Sequence, residues 1–428
     1  MEGNIETLAE EWAQNANEAL QLALVDGNDV ELNFSPAFTY PIYGDSEVIY
    51  GYRDLAISLK FDALSLLPYL STSWTEKIPL DSIPDPKTVL LDFLPESTVQ
   101  DLTLWNKLRK STPEFEIPGE KVGSFKDKDG AEYTVYKSTF ANIAAKELHE
   151  RIQIFILLFI EAGSYIDATD DRWVLYTLYQ TSSPHEENFR PIFAGFSTVY
   201  NYFWYVDAES YDKPNGTDPY EPYVRKRISQ FVILPLFQGK RVGGNFYSTL
   251  FSTFYADPLI KEISVEDPSE AFDDLRDRND LTRLVESGTA AIIYTTFSAT
   301  KVLPEVISDT GKNSFTLEWV KDKRCENKMS VRQFDRCIEM ILLYYLENKQ
   351  DVSQETIRLY RLLVKRRLYL RNRDALDDMS PQDRKSKLQE TFEALKDDYR
   401  RLTSKIVFPI AKRKPTDLKG KGIKKQRV

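Results

Sequence analysis

The run RKRISQFVILPLFQGKRVGGNFYSTLFSTFYADPLIKEISV, residues 225–265, contains the pattern that decides the fold. Residues 225–235 have a continuous apolar centre, which predicts a strand buried on both faces. A glycine-rich turn follows at 238–244, and residues 246–255 then form an amphipathic run that predicts a helix. Residues 259–265 predict a second strand. Strand, glycine turn, helix and strand in this order indicate a βαβ unit, so the centre of the chain is α/β.

The flanking sequence extends this unit on both sides. The N-terminal part alternates strand-like runs with proline-containing loops, and a helix without internal Pro or Gly precedes the central strands. Strands are predicted at 38–52, 55–61, 132–139, 173–180 and 192–205, and the helix at 141–161.

From about residue 280 the pattern becomes helical. Apolar residues recur at spacings of three and four, which places them on one face of a helix; they are Leu388, Phe392, Leu395, Tyr399 and Leu402. Residues 356–370 predict a second, basic helix.

Composition excludes several classes of protein. The chain has 428 residues, of which 42% are hydrophobic and 13% aromatic, so it is not intrinsically disordered and is long enough for two or three domains. Its two cysteines, Cys325 and Cys337, are too few for a disulfide scaffold or a multi-cysteine zinc site, and its two histidines exclude a three-histidine metal site. We therefore expect no metal. The absence of a secretory signal and of a long apolar run predicts a soluble, intracellular protein.

Charge is distributed unevenly along the chain. The net charge is −10, yet the last twenty residues hold eight Lys/Arg and one Asp, so the other 408 residues carry −17. An acidic body favours a basic partner over nucleic acid, because opposite charges speed encounter. The basic tail is either a nuclear-import signal or a solvated terminus.

Two motifs could carry chemistry. The turn QGKRVGG at 238–244 can direct backbone N–H groups at an anion, although it is neither a Walker A motif nor GxGxxG, and such turns are often purely structural. The second motif, Glu266-Asp267-Pro268, follows a predicted central strand, where α/β folds place active groups. These carboxylates are either a general base with its neighbour or a solvated acidic helix start.

These same residues resemble a known family. SQFVILPLFQGK and ISVEDPSEAFDDLRDRND, with GDSEVIYGY, HERIQIFILLFIEAGSYIDATDDRW and STVYNYFWY, are similar to type B histone acetyltransferase catalytic subunits of fungal type, within the GNAT acyltransferase superfamily. The resemblance covers about residues 30–405. It implies a central GNAT mixed sheet with flanking helices. The expected divisions are an N-terminal mixed α/β domain (1–130), a GNAT catalytic domain (131–284), a C-terminal helical domain (285–408) and a basic disordered tail (409–428).

The resemblance also implies a binding site for acetyl-CoA as co-substrate. The positions that match coenzyme-contacting residues of the family are Phe231, Val232, Ile233, Gln238, Gly239, Lys240, Arg241, Val242, Gly243, Gly244, Ser269, Phe272 and Arg278. One of them departs from the family pattern, because Arg241 stands where a glycine is usual. Glycine alone adopts left-handed angles without cost, so we expect either a rerouted loop or an added charge contact with phosphate.

Catalytic and substrate residues are implied in the same way. Glu266 matches the general base, and Glu161 and Asp267 match carboxylates that assist it. The positions that match a groove for a basic histone tail are Asp45, Ser46, Glu47, Trp173, Tyr200, Asn201 and Tyr202.

The implied function is acetylation of lysines in the N-terminal tail of newly made, free histone four. The resemblance further implies histone three alongside histone four, a WD-repeat histone-binding subunit of the retinoblastoma-associated type, location in nucleus and cytoplasm, a role in histone deposition and chromatin assembly, and no membrane or direct nucleic-acid binding. Two alternatives stay open: an acetyltransferase of the same fold for another amine, and a non-catalytic histone chaperone or scaffold.

Overall fold

The computed structural model describes residues 11–111, 115–184, 186, 188–205, 223–300, 318–348 and 352–408. The chain divides into two compact units. The first comprises Met1–Phe272 with Asn327–Ser330, and the second Asp273–Glu326 with Val331–Val428.

The first unit contains the sheets. Its described strands are β1 (Ala13–Asn15), β2 (Leu20–Val25), β3 (Glu31–Phe34), β4 (Val48–Tyr50), β5 (Tyr52–Arg53), β6 (Ala56–Asp62), β7 (Pro68–Ser73), β8 (Glu76–Lys77), β9 (Glu120–Lys126), β10 (Glu132–Thr139), β11 (Trp173–Ser182), β12 (Ile192–Phe203), β13 (Val224–Ile233) and β14 (Ile260–Val265). Its helices are α1 (Ala16–Ala19), α2 (Tyr40–Tyr43), α3 (Pro86–Leu91), α4 (Leu102–Lys110), α5 (Ile143–Ile152), α6 (Ile154–Phe159) and α7 (Val242–Ala256), with a 3₁₀ turn at Pro235–Phe237.

The largest sheet has the strand order β14-β13-β12-β11-β10-β9. Neighbours from β9 to β13 are antiparallel, and β13 and β14 are parallel. Because α7 connects the two parallel strands, the predicted βαβ unit is confirmed. The mixed sheet also confirms the predicted fold class.

The register of β13 creates an opening in this sheet. Ile228 pairs with Val199 of β12 and Gln230 pairs with Thr198, so Ser229 is an extra residue that makes a β-bulge. On the other side β13 pairs with β14 only as far as Ile228, whose partner is Val265. Residues 229–233 therefore run on beside β12 without a register partner on β14. We call this gap the β13–β14 opening.

The N-terminal part differs from the prediction at residues 38–52. A continuous strand was expected, but the structure has the short helix α2, then β4 and β5. Pro41 lies in the first turn of α2, where its fixed φ suits a helix. The Glu47 carboxylate also accepts hydrogen bonds from the amides of Thr39 and Tyr40, at 2.6 and 3.0 Å. These contacts favour a helical turn over the alternation that predicted a strand.

The helix predicted at 141–161 is divided in two. Helix α5 ends at Ile152 and α6 begins at Ile154, with Gln153 between them. Helix α6 is buried at five successive residues, Ile154 to Leu158, which are at most 6% exposed. Burial on all sides, rather than on one stripe, explains why periodicity did not reveal the break.

The second unit is helical. It contains most of α8 (Glu270–Glu286), then α9 (Thr289–Thr300), α10 (Glu318–Glu326), α11 (Val331–Asn348), α12 (Gln354–Arg371), α13 (Arg373–Asp377) and α14 (Pro381–Thr403). Helices α12 and α14 confirm the two helices predicted there. Their packing buries the carboxylate of Glu339, which Arg367 binds through Nε at 2.6 Å and Nη2 at 2.8 Å, while the Tyr399 hydroxyl donates to it at 2.8 Å. Among the described residues, no helix has both the length and the apolar character needed to cross a bilayer.

Candidate active site

The glycine-rich turn leads into α7 at one edge of the β13–β14 opening. Gly239 and Arg241 both adopt left-handed angles, with φ of 74° and 65°. Arg241 is the N-cap residue of α7 and its side chain makes no capping hydrogen bond. The first amides of α7, from Val242 onward, therefore have no intrahelical acceptor and form a ready anion site.

For Arg241 we expected either a rerouted loop or an added charge contact, and the loop keeps a left-handed residue at this position. The arginine itself takes the left-handed conformation that glycine adopts freely, at a cost of about 1 kcal/mol. Gly243 and Gly244 lie inside the first turn of α7. Lys240 is half-buried, whereas Gln238 and Arg241 are exposed.

Aromatic rings surround the end of β13. The ring of Phe231 lies 5.1 Å from that of Phe246 on α7 and 5.0 Å from that of Phe272. Tyr247 contacts Phe272 as well, at 5.9 Å between centroids. The Ser269 hydroxyl accepts a hydrogen bond from the Phe272 amide at 3.3 Å. The structure thus brings Phe231, Ser269 and Phe272 together.

The remaining coenzyme candidates lie along β13 and in α8. Val232 is 3% exposed, and the Ile233 carbonyl accepts a hydrogen bond from Gln238 Nε2 at 2.8 Å. Arg278 belongs to the second unit, where its guanidinium lies 3.1 Å from the Asp274 carboxylate.

Glu266 follows β14 directly, next to the last strand pair before the opening. Its amide donates to the Ile228 carbonyl at 2.9 Å, and its Oε1 lies 2.8 Å from Nη2 of Arg227. The side chain is 36% exposed, so it is accessible to a ligand. Asp267 is exposed and has a φ of 30°. Glu161 is exposed in the turn after α6. Among the described residues, no hydrogen bond or ion pair joins either to Glu266.

Three aromatic side chains form a row on the same face of the sheet as Glu266. Trp173 and Tyr200 are register partners on β11 and β12, and their rings are 4.8 Å apart. Tyr200 and Tyr202 are 4.7 Å apart, and the Arg227 guanidinium lies 4.5 Å from the centre of the Tyr202 ring. We call Trp173, Tyr200 and Tyr202 the aromatic row. Through Arg227 it connects three predicted substrate residues to the predicted base.

Asn201 does not join this row, because successive residues of a strand face opposite sides of a sheet. Its Oδ1 accepts a hydrogen bond from Lys226 Nζ. Lys226 lies 5.9 Å from the Phe254 ring of α7. Burial, with a smaller contribution from the charge of Lys137, lowers the pKa of Lys226 to about 8.

The loop of Asp45, Ser46 and Glu47 precedes β4. Asp45 and Ser46 are exposed, whereas both oxygens of Glu47 are engaged, one by the amides that hold α2 and the other by Asn17 Nδ2 at 2.8 Å. The hydrogen bond from the Thr39 amide is the main reason that the pKa of Glu47 lies below its usual value.

Sequence reasoning missed the residues that hold the row in place. The Tyr200 hydroxyl donates to Asp170 at 2.8 Å, and Arg172 binds Asp170 through two nitrogens, both at 3.1 Å. These hydrogen bonds, chiefly those from Arg172, lower the pKa of Asp170 to about 2. Arg227 was missed too. The sequence did contain a pattern that could have pointed to it: β13 is rich in basic residues and β14 and its end in acidic ones, and opposite charges pair across neighbouring strands.

The described residues contain no group of three His, Cys, Asp or Glu side chains that could hold a metal ion. What the site offers is a free strand edge, an uncapped helix N-terminus, an aromatic row and an accessible carboxylate. The strand edge and the helix N-terminus suit an extended ligand that ends in a phosphate. The aromatic row suits a cationic partner.

Comparisons with known proteins agree with this chemistry. Residues 12–161 match the family model for the N-terminus of the histone acetyltransferase HAT1, and residues 300–347 match the model for the C-terminal part of fungal HAT1. The histone acetyltransferase type B catalytic subunit of Debaryomyces hansenii is 41% identical over 92% of this chain and 90% of its own length. The subunits of the same name from Yarrowia lipolytica and Candida albicans are each 40% identical, over 94% and 98% of this chain and 94% and 96% of theirs. The chain therefore belongs to the family of type B histone acetyltransferase catalytic subunits and is an acetyltransferase.

Proposed function

We propose that this enzyme transfers acetyl from acetyl-CoA to lysines in the N-terminal tail of newly synthesised, free histone four. Both substrates bind together, and Glu266 acts as general base. The observation that carries the proposal is the position of Glu266, between the β13–β14 opening and the aromatic row.

Coenzyme binding at the opening is supported by the free edge of β13. Residues 229–233 have no register partner on β14, so their backbone groups on that side would pair with the amides of a pantetheine arm, as a missing strand would. The uncapped start of α7 suits the pyrophosphate. Phe231 and Phe272 supply apolar surface beside the arm.

The aromatic row supports a lysine-rich peptide as the acceptor. Tyrosine and tryptophan rings attract ammonium groups through their faces and pack against the methylene stems of lysine. The exposed carboxylates of Glu161, Asp45 and Asp267 add negative charge to the same unit.

The chemistry requires a base. A lysine amine has a reference pKa near 10.4, so it must lose a proton before it attacks the thioester. Its nitrogen then forms the amide bond to the acetyl carbon, the carbon–sulfur bond breaks, and the coenzyme leaves as a thiol. Glu266 takes the amine proton, and no covalent acyl-enzyme is needed.

Partners and location follow from the same proposal. The histone-four tail arrives with histone three, and a WD-repeat histone-binding subunit of the retinoblastoma-associated type assists in presenting it. The enzyme works in the nucleus and the cytoplasm and contributes to histone deposition. The net charge of −17 outside the last twenty residues favours a strongly basic protein partner.

Transfer from labelled acetyl-CoA to a histone-four tail peptide tests the proposal. We expect Glu266→Gln to lower kcat by about 10²-fold or more, because the carboxamide cannot accept the proton. Glu262→Gln is the matched control, since Glu262 lies on β14, on the same face, and pairs with Arg225 at 2.8 Å. Equal transfer by wild type and Glu266→Gln would move the base elsewhere, with Glu161 the next candidate. Binding of acetyl-CoA without any transfer would refute the histone substrate.

A further inference from the structure

Arg227 contacts two parts of the candidate site, the Glu266 carboxylate and the aromatic row. Its Nη2 lies 2.8 Å from Glu266 Oε1, and its guanidinium lies 4.5 Å from the centre of the Tyr202 ring. Arg227 lies beside the last rung of the β13–β14 pair, Ile228 with Val265, after which the strands separate. The arginine therefore lies where the opening begins.

We infer that Arg227 is a positioning residue for acetyl transfer, which holds the Glu266 carboxylate at a fixed distance from the aromatic row. The inference rests on the proposed function, since it assigns Glu266 as the base. Glu266 comes after the end of β14, where its amide is held by Ile228 but its side chain could otherwise rotate. A planar guanidinium with one edge on a carboxylate and one face on a ring fixes both partners.

The exposure of the ion pair supports a role beyond cross-strand pairing. The side chains of Arg227 and Glu266 are 31% and 36% exposed, so a ligand in the site can reach both partners.

Arg225 provides a matched control on the same strand and face. It pairs with Glu262 at 2.8 Å and lies 5.4 Å from the Trp204 ring, so it makes the same two kinds of contact two residues earlier. Its partner carboxylate is not the proposed base, so its loss should cost stability but not catalysis.

The experiment measures kcat and KM for the histone-four tail peptide in Arg227→Met, Arg227→Lys and Arg225→Met. We expect Arg227→Met to lower kcat by about tenfold or more while KM changes by less than about threefold, because small misplacement of a base is costly and the tail does not depend on this arginine for binding. Arg227→Lys keeps the cation but lacks the planar group that contacts carboxylate and ring together, so it should recover only part of the loss. Arg225→Met should retain wild-type kcat.

A double-mutant cycle with Glu266→Gln identifies the route of the effect. If Arg227 acts through Glu266, adding Arg227→Met to Glu266→Gln should change kcat by less than about twofold. Full additivity, an unchanged kcat in Arg227→Met, or an equal loss in Arg225→Met would overturn the inference. Thermal unfolding shows whether Arg227→Met folds, and if it does not, Arg227→Lys takes its place. A wild-type kcat in Arg227→Lys, or a loss that adds fully to that of Glu266→Gln, would overturn the inference. A reduced kcat that is not reduced further when Arg227→Lys is combined with Glu266→Gln would support it.

These measurements distinguish failure of the general-base role of Glu266 from failure of the positioning role of Arg227. A wild-type kcat in Glu266→Gln alone would refute the general base whatever Arg227 does. A strong loss in Glu266→Gln beside a wild-type kcat in Arg227→Met would refute only the role of Arg227.

Discussion

At the scale of single residues, Arg241 combines an unfavourable backbone conformation with a positive charge at the start of α7. Its left-handed φ of 65° costs about 1 kcal/mol, which glycine would avoid, but glycine loses about as much through the greater freedom of the unfolded chain. Replacement by glycine should therefore leave stability almost unchanged. The guanidinium remains exposed at the start of α7, beside the proposed pyrophosphate site.

We predict that Arg241→Gly weakens acetyl-CoA binding by about threefold to tenfold at low salt, and that added salt reduces the difference, as for an exposed ion pair. Titration calorimetry would measure this, with melting temperature recorded in parallel. Acetyl-pantetheine, which lacks the pyrophosphate, is the control ligand and should bind both proteins equally. An unchanged or tighter affinity of Arg241→Gly for acetyl-CoA would mean that the arginine makes no phosphate contact.

At the scale of elements, the position of the free end of β13 is set by close contact with β12. A Cβ added to Gly195 would lie 2.2 Å from the Val232 carbonyl oxygen and 3.0 Å from Ile233 Cδ1. Because the nearest atom belongs to the backbone, β13 must shift, and it is the free segment of that strand that faces the proposed pantetheine arm.

We predict that Gly195→Ala lowers acetyl-CoA affinity by about tenfold and destabilises the fold by about 1–3 kcal/mol. Gly119→Ala is the control for general strain: its Cβ would lie 2.2 Å from the backbone oxygen of Lys137, on the far side of the same sheet, and its φ of 105° adds strain of its own. It should lower stability, measured by denaturant unfolding, without lowering affinity. Equal affinity losses in both variants would show that the effect is a general consequence of strain.

The same elements illustrate how far sequence reasoning reaches. Strands β10 to β14 and helix α7 were predictable because their apolar runs, and the glycine-rich turn before α7, are local features of the sequence. The opening was not, since it depends on a one-residue bulge at Ser229 and on where β14 stops pairing. Register is a property of two strands, so neither strand alone reveals it.

In the candidate site, too, single residues could be predicted from the sequence but their pairing could not. Glu266 could be singled out as a carboxylate after a buried strand, and the resemblance added the aromatic row. The pairing of Glu266 with Arg227 and of Tyr200 with Asp170 became visible only once the strands were aligned. Glu47 is a candidate only through the resemblance, and the structure adds that its carboxylate holds the start of α2.

At the scale of the whole molecule, charge sets the encounter with a basic substrate. Outside the last twenty residues the chain carries −17, and over its full length −10. Attraction of this kind acts over about 10 Å at an ionic strength of 0.1 M and is weakened by salt. It raises the rate of encounter without altering the chemical step in the bound complex.

We predict that kcat/KM for the histone-four tail peptide falls several-fold as ionic strength rises from about 0.05 to 0.3 M, while kcat changes by less than about twofold. Steady-state kinetics across that range would measure both. A peptide whose non-target lysines are replaced by glutamine should lose most of the salt dependence. A chain ending at residue 408 should keep it, because the negative charge lies in the body. A fall in kcat equal to that in kcat/KM would contradict this view, since salt would then act on the bound complex rather than on its formation.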